Sequence, residues 1–433
     1  MAEARGLELL VEWEPAHGVT SAELAATWCR LEIQVQGQFV TAVDDARTGA
    51  MRRGVYTSAY PLAEWIVEHW WLLRTHVRPS AVPRRDWAWA KLSEQPWLRA
   101  HNARAAGGGL PWPDLTVVPE GATTRLTWNA GPGLADQPIT FLTSGDAYVA
   151  SDAAADALGR FVDQVLERLR DAGVSGTPLQ EEWELIAGSD DEETAFASSV
   201  ARLGLDPYDV PDELSDDVIG MAETLDDEVL VEFLDSVRPS ELRTAAQWLE
   251  QAQSERVMMP RPALADRLEH AGASSRAQGQ PWELGYAAAS SYREQLGLRS
   301  REVFPMDRYV STTPIDAPAG GLQGLVAVER DDLGLVLPTE LGLSRNSVRF
   351  AQGRALGLSL LTKRPLLLLD PAHTDLSKAA RAFAAELLAP ADGISTYLSV
   401  LPEVTPAAFE AIAARFDTSP LLVQHQYENQ IAR

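Results

Sequence analysis

Apolar and polar residues alternate along parts of the first third of the chain, which predicts β-strands because successive side chains of a strand point to opposite faces. The strands predicted in this way are Leu7–Trp13, Cys29–Ala42, Arg125–Asn129 and Ile139–Leu142. Residues 60–73 instead carry apolar side chains at helical spacing, and Pro61 suits the first turn of a helix. We therefore predict a mixed α/β domain over residues 1–150.

Residues 1–150 also contain ten of the thirteen tryptophans of the chain. Indole rings can line a ligand pocket in a sensor or docking module, but they also fill the cores of small domains, and we favour the core interpretation. Trp70 and Trp71 are neighbours on the predicted helix, and adjacent helical side chains point in different directions. We therefore expect one of these two rings to lie at an interface.

The next part of the chain is predicted to be helical and acidic. Ser151–Ala172 has an apolar face at helical spacing, and the residues that follow are rich in Asp and Glu, above all at 181–184 and 190–193. The carboxylates lack the spacing of a calcium-binding loop, so we interpret most of them as helix caps and solvated helix faces. These features predict an acidic helical region over residues 151–278.

Beyond residue 279 the pattern changes to helices alternating with short strands. The predicted elements, in chain order, are helix Trp282–Gly297, strands Gly320–Val328 and Gly334–Pro338, a helix at 349–361, strand Leu366–Asp370 and helix Ser377–Leu388. This order sets residues 279–402 apart as a further domain. The chain as a whole is thus predicted to be an α+β multidomain protein.

Two of these helices carry sequence motifs. Residues 349–361 read RFAQGRALGLSLL, and residues 380–390 read ARAFAAELLAP. Together they resemble the ImmA/IrrE family of zinc peptidases, in which a helix like RRFTLAHELGHLLL precedes a helix containing FAAELLMP. The resemblance implies a zincin-like fold for residues 279–402. Gly353 and Gly357, four residues apart, are expected to let another element pack closely.

The metal-binding positions of the family are replaced in this chain. Arg354, Ala355 and Leu358 stand where the resemblance places His, Glu and His, and Ser377 or Ala379 stands near the expected third ligand. Zinc peptidases need imidazoles to hold the metal and a carboxylate to accept a proton, which arginine, alanine and leucine side chains cannot supply. We therefore predict a pseudopeptidase domain with no catalytic residue, no metal and no cofactor.

The cleft that the resemblance implies has other candidate residues. Arg354, Asp370, His373 and Asp375 are candidates for binding a partner. Arg354 could pair with an acidic side chain, bind an anion or reach solvent, and all three roles remain open. Asp370, His373 and Asp375 could instead bind a metal, which leaves an active zinc peptidase with different ligands as an alternative.

The residues from 403 to 433 predict a pair of helices. Pro406–Phe416 and Pro420–Ile431 are joined by a short turn, and the pair resembles the helix-turn-helix-like unit that family members often carry at this place. Amide side chains can read adenine edges. The candidates for nucleic-acid contact are Gln424, Gln426 and Asn429. Few cations lie nearby to contact phosphates, so we favour a structural or dimer-forming pair, with a DNA-binding regulator as the alternative.

Composition narrows the function classes. The chain has 433 residues and a formal net charge of −25, which disfavours nonspecific binding to nucleic acid. Its single cysteine, Cys29, excludes an internal disulfide and a thiolate zinc site. The sequence has neither an apolar run of transmembrane length nor the pattern of a secretory signal, so we expect a cytoplasmic protein without membrane contact.

The motif resemblance implies a regulatory setting. Members of the family cleave repressors or antitoxin-like partners in bacterial stress, mobile-element and phage responses. A member without the catalytic residues is expected to bind such a protein partner without cutting it. The hypothesis from the sequence is therefore a catalytically inactive regulatory or sensing protein that acts through protein–protein binding.

Overall fold

A computed structural model describes residues 6–78, 95–131, 138–260, 280–330, 332–370, 374–401 and 403–432. The chain is a multidomain α+β protein with several antiparallel sheets. It divides into two compact units, Met1–Ile219 and Gly220–Arg433, and the finer division predicted from the sequence stays a prediction. No helix in the described part of the chain is both long and apolar enough to cross a membrane.

Within its described residues, the first unit contains three small antiparallel sheets. Its strands are β1 (Leu7–Trp13), β2 (Trp28–Val35), β3 (Gln38–Phe39), β4 (Val43–Asp45), β5 (Ala50–Arg52), β6 (Val55–Ser58), β7 (Asp114–Pro119), β8 (Thr123–Asn129), β9 (Ile139–Phe141) and β10 (Gly145–Ala150). The strand orders are β1-β2-β3 with β6 also on β2, then β10-β8-β7, then β5-β4-β9. The predicted strand 29–42 is thus two strands joined by a turn at Gln36 and Gly37, both of which have positive φ.

Helices cover the sheets of the first unit. They are α1 (Ala22–Ala26), α2 (Tyr60–Glu68), α3 (Trp70–Thr75), α4 (Pro96–His101), α5 (Ser151–Asp171), α6 (Pro178–Gly188) and α7 (Asp191–Arg202), and α8 (Asp212–Thr224) crosses the division between the units. The prediction of a long helix from Ser151 is confirmed, and its apolar face packs on β1 and α2. Capping boxes begin α6 and α7, with Thr177 and Asp190 as the caps, so part of the acidic stretch serves helix initiation as predicted.

The expectation that Trp70 or Trp71 lies at an interface is wrong, since both rings are buried in the core of the first unit. The predicted helix 60–73 ends at His69 and restarts as α3, which changes the direction of the following side chains. Trp70 then meets the edge of Trp183 with ring centroids 4.9 Å apart, and Trp71 Nε1 donates to the Tyr208 hydroxyl at 3.4 Å. A break in one helix thus lets two neighbouring rings enter the same core.

A histidine pair, buried His101 and half-buried His76, lies where α3, α4 and β7 meet. His101 Nδ1 is 2.9 Å from the carbonyl oxygen of Val117, so this nitrogen carries the proton and donates it. His101 Nε2 therefore accepts from His76 Nδ1 at 3.3 Å, and Trp97 stacks on the His101 ring at 4.4 Å. Burial lowers the pKa of His76 to about 4 and lowers the pKa of His101 well below its usual value. Both rings are thus held in the neutral form.

The described residues of the second unit are built around one five-stranded sheet. Its strands are β11 (Met259–Pro260), β12 (Ser311–Ile315), β13 (Gly324–Glu329), β14 (Asp332–Pro338) and β15 (Leu366–Leu369). The order is β11-β14-β13-β15, and β12 pairs with β14 in parallel. The helices of this unit are α9 (Asp227–Leu234), α10 (Leu242–Glu255), α11 (Pro281–Gln295), α12 (Arg345–Leu361), α13 (Asp375–Leu388), α14 (Ala391–Leu398), α15 (Pro406–Phe416) and α16 (Pro420–Gln426), and a π-helical turn, Tyr427–Ile431, follows α16.

Close packing of three helices depends on glycine. A Cβ added at Gly285 of α11 would lie 2.1 Å from the Ala379 carbonyl oxygen of α13. On α12, a Cβ at Gly353 would meet Ala384 at 3.0 Å, and one at Gly357 would meet the Phe383 ring at 2.8 Å. The prediction that Gly353 and Gly357 permit a close approach is therefore confirmed, with α13 as the approaching element.

The edge strand β15 is covered by a side chain of the acidic region. Glu232 of α9 accepts a hydrogen bond from the backbone N–H of Leu368 at 2.8 Å. Its other carboxylate oxygen pairs with Arg364, which also lies 3.2 Å from Glu228. The carboxylate thus satisfies a backbone donor on the outer side of the sheet.

Substitution of Gly285 by alanine is expected to destabilise the second unit by about 1–3 kcal/mol, because the new methyl group has no room against the backbone of α13. Denaturant unfolding monitored by circular dichroism measures the change. Gly220→Ala is the matched control, since a Cβ there meets nothing within 4 Å in α8 and should be neutral or stabilising. Equal stability of the two variants would contradict the packing described.

The first unit is expected to lose stability as the pH falls from about 6.5 to 4. The unfolded histidines take up protons near 6.5, whereas folded His76 does so only near 4, so the unfolded state binds more protons in this window. The loss attributable to His76 is on the order of 2–3 kcal/mol. Tryptophan fluorescence during urea unfolding measures it, because most tryptophans lie in the first unit. His76→Asn should reduce the pH dependence of the free energy of unfolding. The control His17→Asn, at an exposed position, should leave that pH dependence unchanged. An unchanged pH dependence in the His76 variant would refute this account.

Candidate functional site

Helix α12 carries the three positions where the resemblance places metal ligands and base. Ser344 begins the helix, and its hydroxyl accepts from the Ser347 N–H at 3.2 Å. Ala355 and Leu358 lie inside the apolar core of the second unit. Arg354 is 6% exposed and is the only one of the three that can make polar contacts.

Two neutral oxygens hold the Arg354 guanidinium. One terminal nitrogen donates to the Gln323 side-chain oxygen at 3.1 Å, and the other donates to the Asp370 carbonyl oxygen at 2.8 Å. These acceptors are neighbours because Gln323 immediately precedes β13, Asp370 immediately follows β15, and the two strands pair through Gly324 and Leu369. The sheet therefore places both acceptors at one end, under α12.

Arg354 has no carboxylate partner in the described part of the chain. None of the ion pairs within 4.0 Å among those residues includes it, and its Nε has no hydrogen-bond acceptor there. The pKa of Arg354 is lowered to about 10, chiefly by burial and in part by the nearby Arg381 cation, while Asp370 opposes the shift. At neutral pH the guanidinium remains charged.

Asp370 organises the polar residues beside Arg354. Its carboxylate accepts from the Ser377 hydroxyl at 3.0 Å and lies 4.0 Å from Arg381. Ser377, one of the two candidates for the expected third-ligand position, is thus a hydrogen-bond donor to Asp370. The structure brings together Arg354, Asp370 and Ser377, whereas Asp375 lies in the first turn of α13 beside Lys378.

His373, the remaining candidate, lies outside the described residues. Within the residues that the structure does describe, no three His, Cys, Asp or Glu side chains are grouped so that they could hold a metal ion. Arg354 and Arg381 also bring two cations to Asp370, which does not favour a further cation at that carboxylate.

A cleft of about 560 Å³ opens beside Arg354, between α12 and α16. We call it the Arg354 cleft. Its lining residues are Gln323, Leu341, Leu343, Ser344, Asn346, Ser347, Phe350, Ala351, Arg354, Leu369, Thr418, Ser419, Leu421, Leu422 and His425. As far as the structure describes it, the lining contains leucine, phenylalanine, hydroxyl and amide groups, one arginine, and no Asp or Glu.

The turn between α15 and α16 is fastened to α12. Asp417 adopts the left-handed conformation with φ 53°, and its carboxylate lies 2.7 Å from Arg345 and 3.4 Å from Arg349. Arg349 also donates to the Asp417 carbonyl oxygen at 2.9 Å. Ser419 then caps α16. These bonds fix the wall of the Arg354 cleft that α16 supplies.

The buried carboxylate of Glu386 binds the end of α16 and the π-helical turn that follows it. Glu386 of α13 accepts from the side chains of Gln426 at 2.8 Å and Gln430 at 2.9 Å. It also accepts from the Ala391 N–H at 3.2 Å, which begins α14, and from the Ser290 hydroxyl at 3.3 Å. Burial raises the pKa of Glu386, and these donors oppose the shift.

The candidates for nucleic-acid contact do not form one surface. Gln426 is 1% exposed and its amide is committed to Glu386, so it is not available to a base edge. Gln424 is exposed and donates to Glu428 at 2.8 Å, and Asn429 is exposed. Residues 420–431 contain no Lys or Arg, so this helix offers no cation to a phosphate.

Sequence reasoning missed several residues that shape the site. Gln323, which holds Arg354, lies 31 positions earlier in the chain and no local pattern marks it. Arg345 and Arg349 stand four residues apart on α12, and that spacing is a signal that they share a face. Glu386 lies in an apolar run, which is the usual sign of a carboxylate with buried partners.

Comparison of the chain with protein-family models gives no match, and a search among curated proteins gives none either. Inference about function therefore depends on the geometry of the Arg354 cleft and on the motif resemblance.

Substitution of Glu386 by glutamine is expected to loosen α14 and α16. The new amide turns an N–H group toward donors that need an acceptor, which costs about 1–3 kcal/mol. Amide hydrogen exchange should become faster in residues 391–398 and 420–431. Glu410→Gln on the exposed side of α15 is the control and should change neither segment. Unchanged exchange in the Glu386 variant would mean that this carboxylate does not hold the C-terminal helices.

Proposed function

We propose that residues 279–402 form a catalytically silent, zincin-like domain of the ImmA/IrrE type, and that the protein acts by binding a segment of a protein partner in the Arg354 cleft. The setting that the resemblance implies is a bacterial stress, mobile-element or phage-defence response. The observation that carries the proposal is Arg354 itself, a buried cation at a ligand position that lines an open cleft.

The order of elements supports the resemblance. Helix α11, the strands β12–β14, helix α12, strand β15 and helix α13 follow one another as the motif comparison leads one to expect. The two motif helices, α12 and α13, pack directly on each other through Gly353 and Gly357. The helical pair α15 and α16 follows at the place of the family's helix-turn-helix-like unit.

The side chains at the motif positions support binding without hydrolysis. Peptide hydrolysis by this route needs an activated water and a group that accepts its proton. Ala355 has no such group, Leu358 is packed in the core, and the Arg354 guanidinium has no lone pair for a metal. What remains is a cleft lined by leucine and phenylalanine side chains, by hydroxyl and amide groups and by one arginine, which suits recognition of a polypeptide segment.

Site-specific photo-crosslinking tests whether the Arg354 cleft receives a partner. A photoreactive benzoylphenylalanine replaces Leu421, which lines the cleft and is 61% exposed, in cells that naturally produce the protein. We expect one discrete protein adduct. The same residue at Val400, which is 78% exposed and does not line the cleft, should give no such adduct.

Besides the absence of an adduct at position 421, two results would contradict the proposed function. One is an equal set of adducts from both positions, because the cleft would then have no special role. The other is about one zinc per chain by elemental mass spectrometry after dialysis without chelator, lost in His373→Ala, together with peptide cleavage. That result would establish the alternative, an active zinc peptidase with different ligands.

A further inference from the structure

The charge of the Arg354 cleft is opposite to that of the chain. The molecule carries a formal net charge of −25, yet none of the fifteen described residues that line the cleft is Asp or Glu. Arg354 is the only lysine or arginine among them. No carboxylate among the described lining residues opposes this cation, so an anion that enters the cleft would be attracted to it.

The Arg354 guanidinium has bonding capacity to spare. It offers five N–H groups, and the described residues provide only two acceptors, Gln323 and the Asp370 carbonyl oxygen. Both acceptors are neutral. Among the described residues no ion pair within 4.0 Å joins Arg354 to the Asp370 carboxylate, which accepts from the Ser377 hydroxyl and lies 4.0 Å from Arg381. Burying a cation in this way is unfavourable unless another group supplies the opposite charge.

Apolar side chains surround the entrance to this cation. Phe350 of α12 and Leu422 of α16 are half-buried on facing walls, and Leu341, Leu343 and Leu421 are exposed at the cleft. Exposed leucines grouped around a cleft indicate an apolar contact with a ligand. The cleft therefore presents one anion-binding group and one apolar surface side by side.

We propose that the Arg354 cleft binds the carboxyl terminus of a polypeptide whose last residue is apolar, with the terminal carboxylate on Arg354 and the last side chain against Phe350 and the leucines. This inference rests on the proposed function, and it names the part of the partner that enters. A terminal residue carries its carboxylate and its side chain on one Cα, which matches the adjacent cation and apolar walls. An internal Asp or Glu would have to bring chain on both sides into a cleft of about 560 Å³.

Short peptides test the inference directly. The probe is acetyl-Gly-Gly-Leu-Leu with a free carboxylate, and its carboxamide is the matched control; both are titrated into the full-length protein by isothermal calorimetry or ligand-observed NMR. We expect the free acid to bind at least about tenfold more tightly, since only it forms charge-assisted hydrogen bonds with the guanidinium. Equal affinity of acid and amide would overturn the inference.

Matched variants locate the site. Leu421→Glu adds a negative charge at the cleft and should weaken binding of the free acid about tenfold or more, while Val400→Glu makes a comparable change outside the cleft and should not. Arg354→Lys keeps the charge but loses the forked donor and should weaken binding with its fold intact by circular dichroism. Equal effects of the Leu421 and Val400 variants would also overturn the inference.

The outcomes separate this inference from the proposed function. If the Leu421 photo-crosslink forms but acetyl-Gly-Gly-Leu-Leu does not bind, the cleft has a partner that does not enter by a carboxyl terminus. A tighter complex with acetyl-Gly-Glu-Leu-Gly-amide would assign the cleft to an internal acidic segment and would likewise refute the terminal carboxylate. Absence of the crosslink itself counts against the proposed function.

Discussion

The second unit depends on the close approach of α13 to α11 and α12. Backbone of α13 reaches the position that a Cβ would occupy at Gly285, and its side chains reach those at Gly353 and Gly357. Such an approach buries apolar surface on both sides of α13 and leaves no space for adjustment. The rest of the unit is therefore arranged around a closely packed helix that has little room to shift.

Polar groups at the two ends of α13 connect this helix to residues of the Arg354 cleft. At its start, Ser377 orients Asp370, whose carbonyl oxygen holds Arg354. At its end, Glu386 holds Gln426 and with it α16, the opposite wall of the cleft. One rigid helix thus sets both the cation and the wall that faces it. Preorganisation of this kind lowers the entropy lost when a ligand binds.

Much of the fold follows from periodicity, since β1, α5 and α15 begin where the pattern of apolar residues begins. The break at His69 does not follow from periodicity. A continuous helix and an interrupted one would bury similar residues, and only the packing of Trp70 and Trp71 distinguishes the two. The site is less predictable still. Motif spacing identified Arg354, but its acceptor Gln323 comes from a distant strand end. Gln426 points inward because its amide donates to Glu386, forty residues away in the chain.

The hydrogen bond from Leu368 to Glu232 has a consequence for how the chain behaves before it is fully folded. Strand β15 is a run of four leucines at the edge of a sheet, and an uncovered edge of this kind is a template for strand addition by another molecule. Helix α9 precedes β15 in the chain, so it is already synthesised when the leucine strand emerges from the ribosome. Helix α9 of the acidic region thereby protects the edge strand β15 from aggregation. The Arg354 cleft lies beside the same sheet.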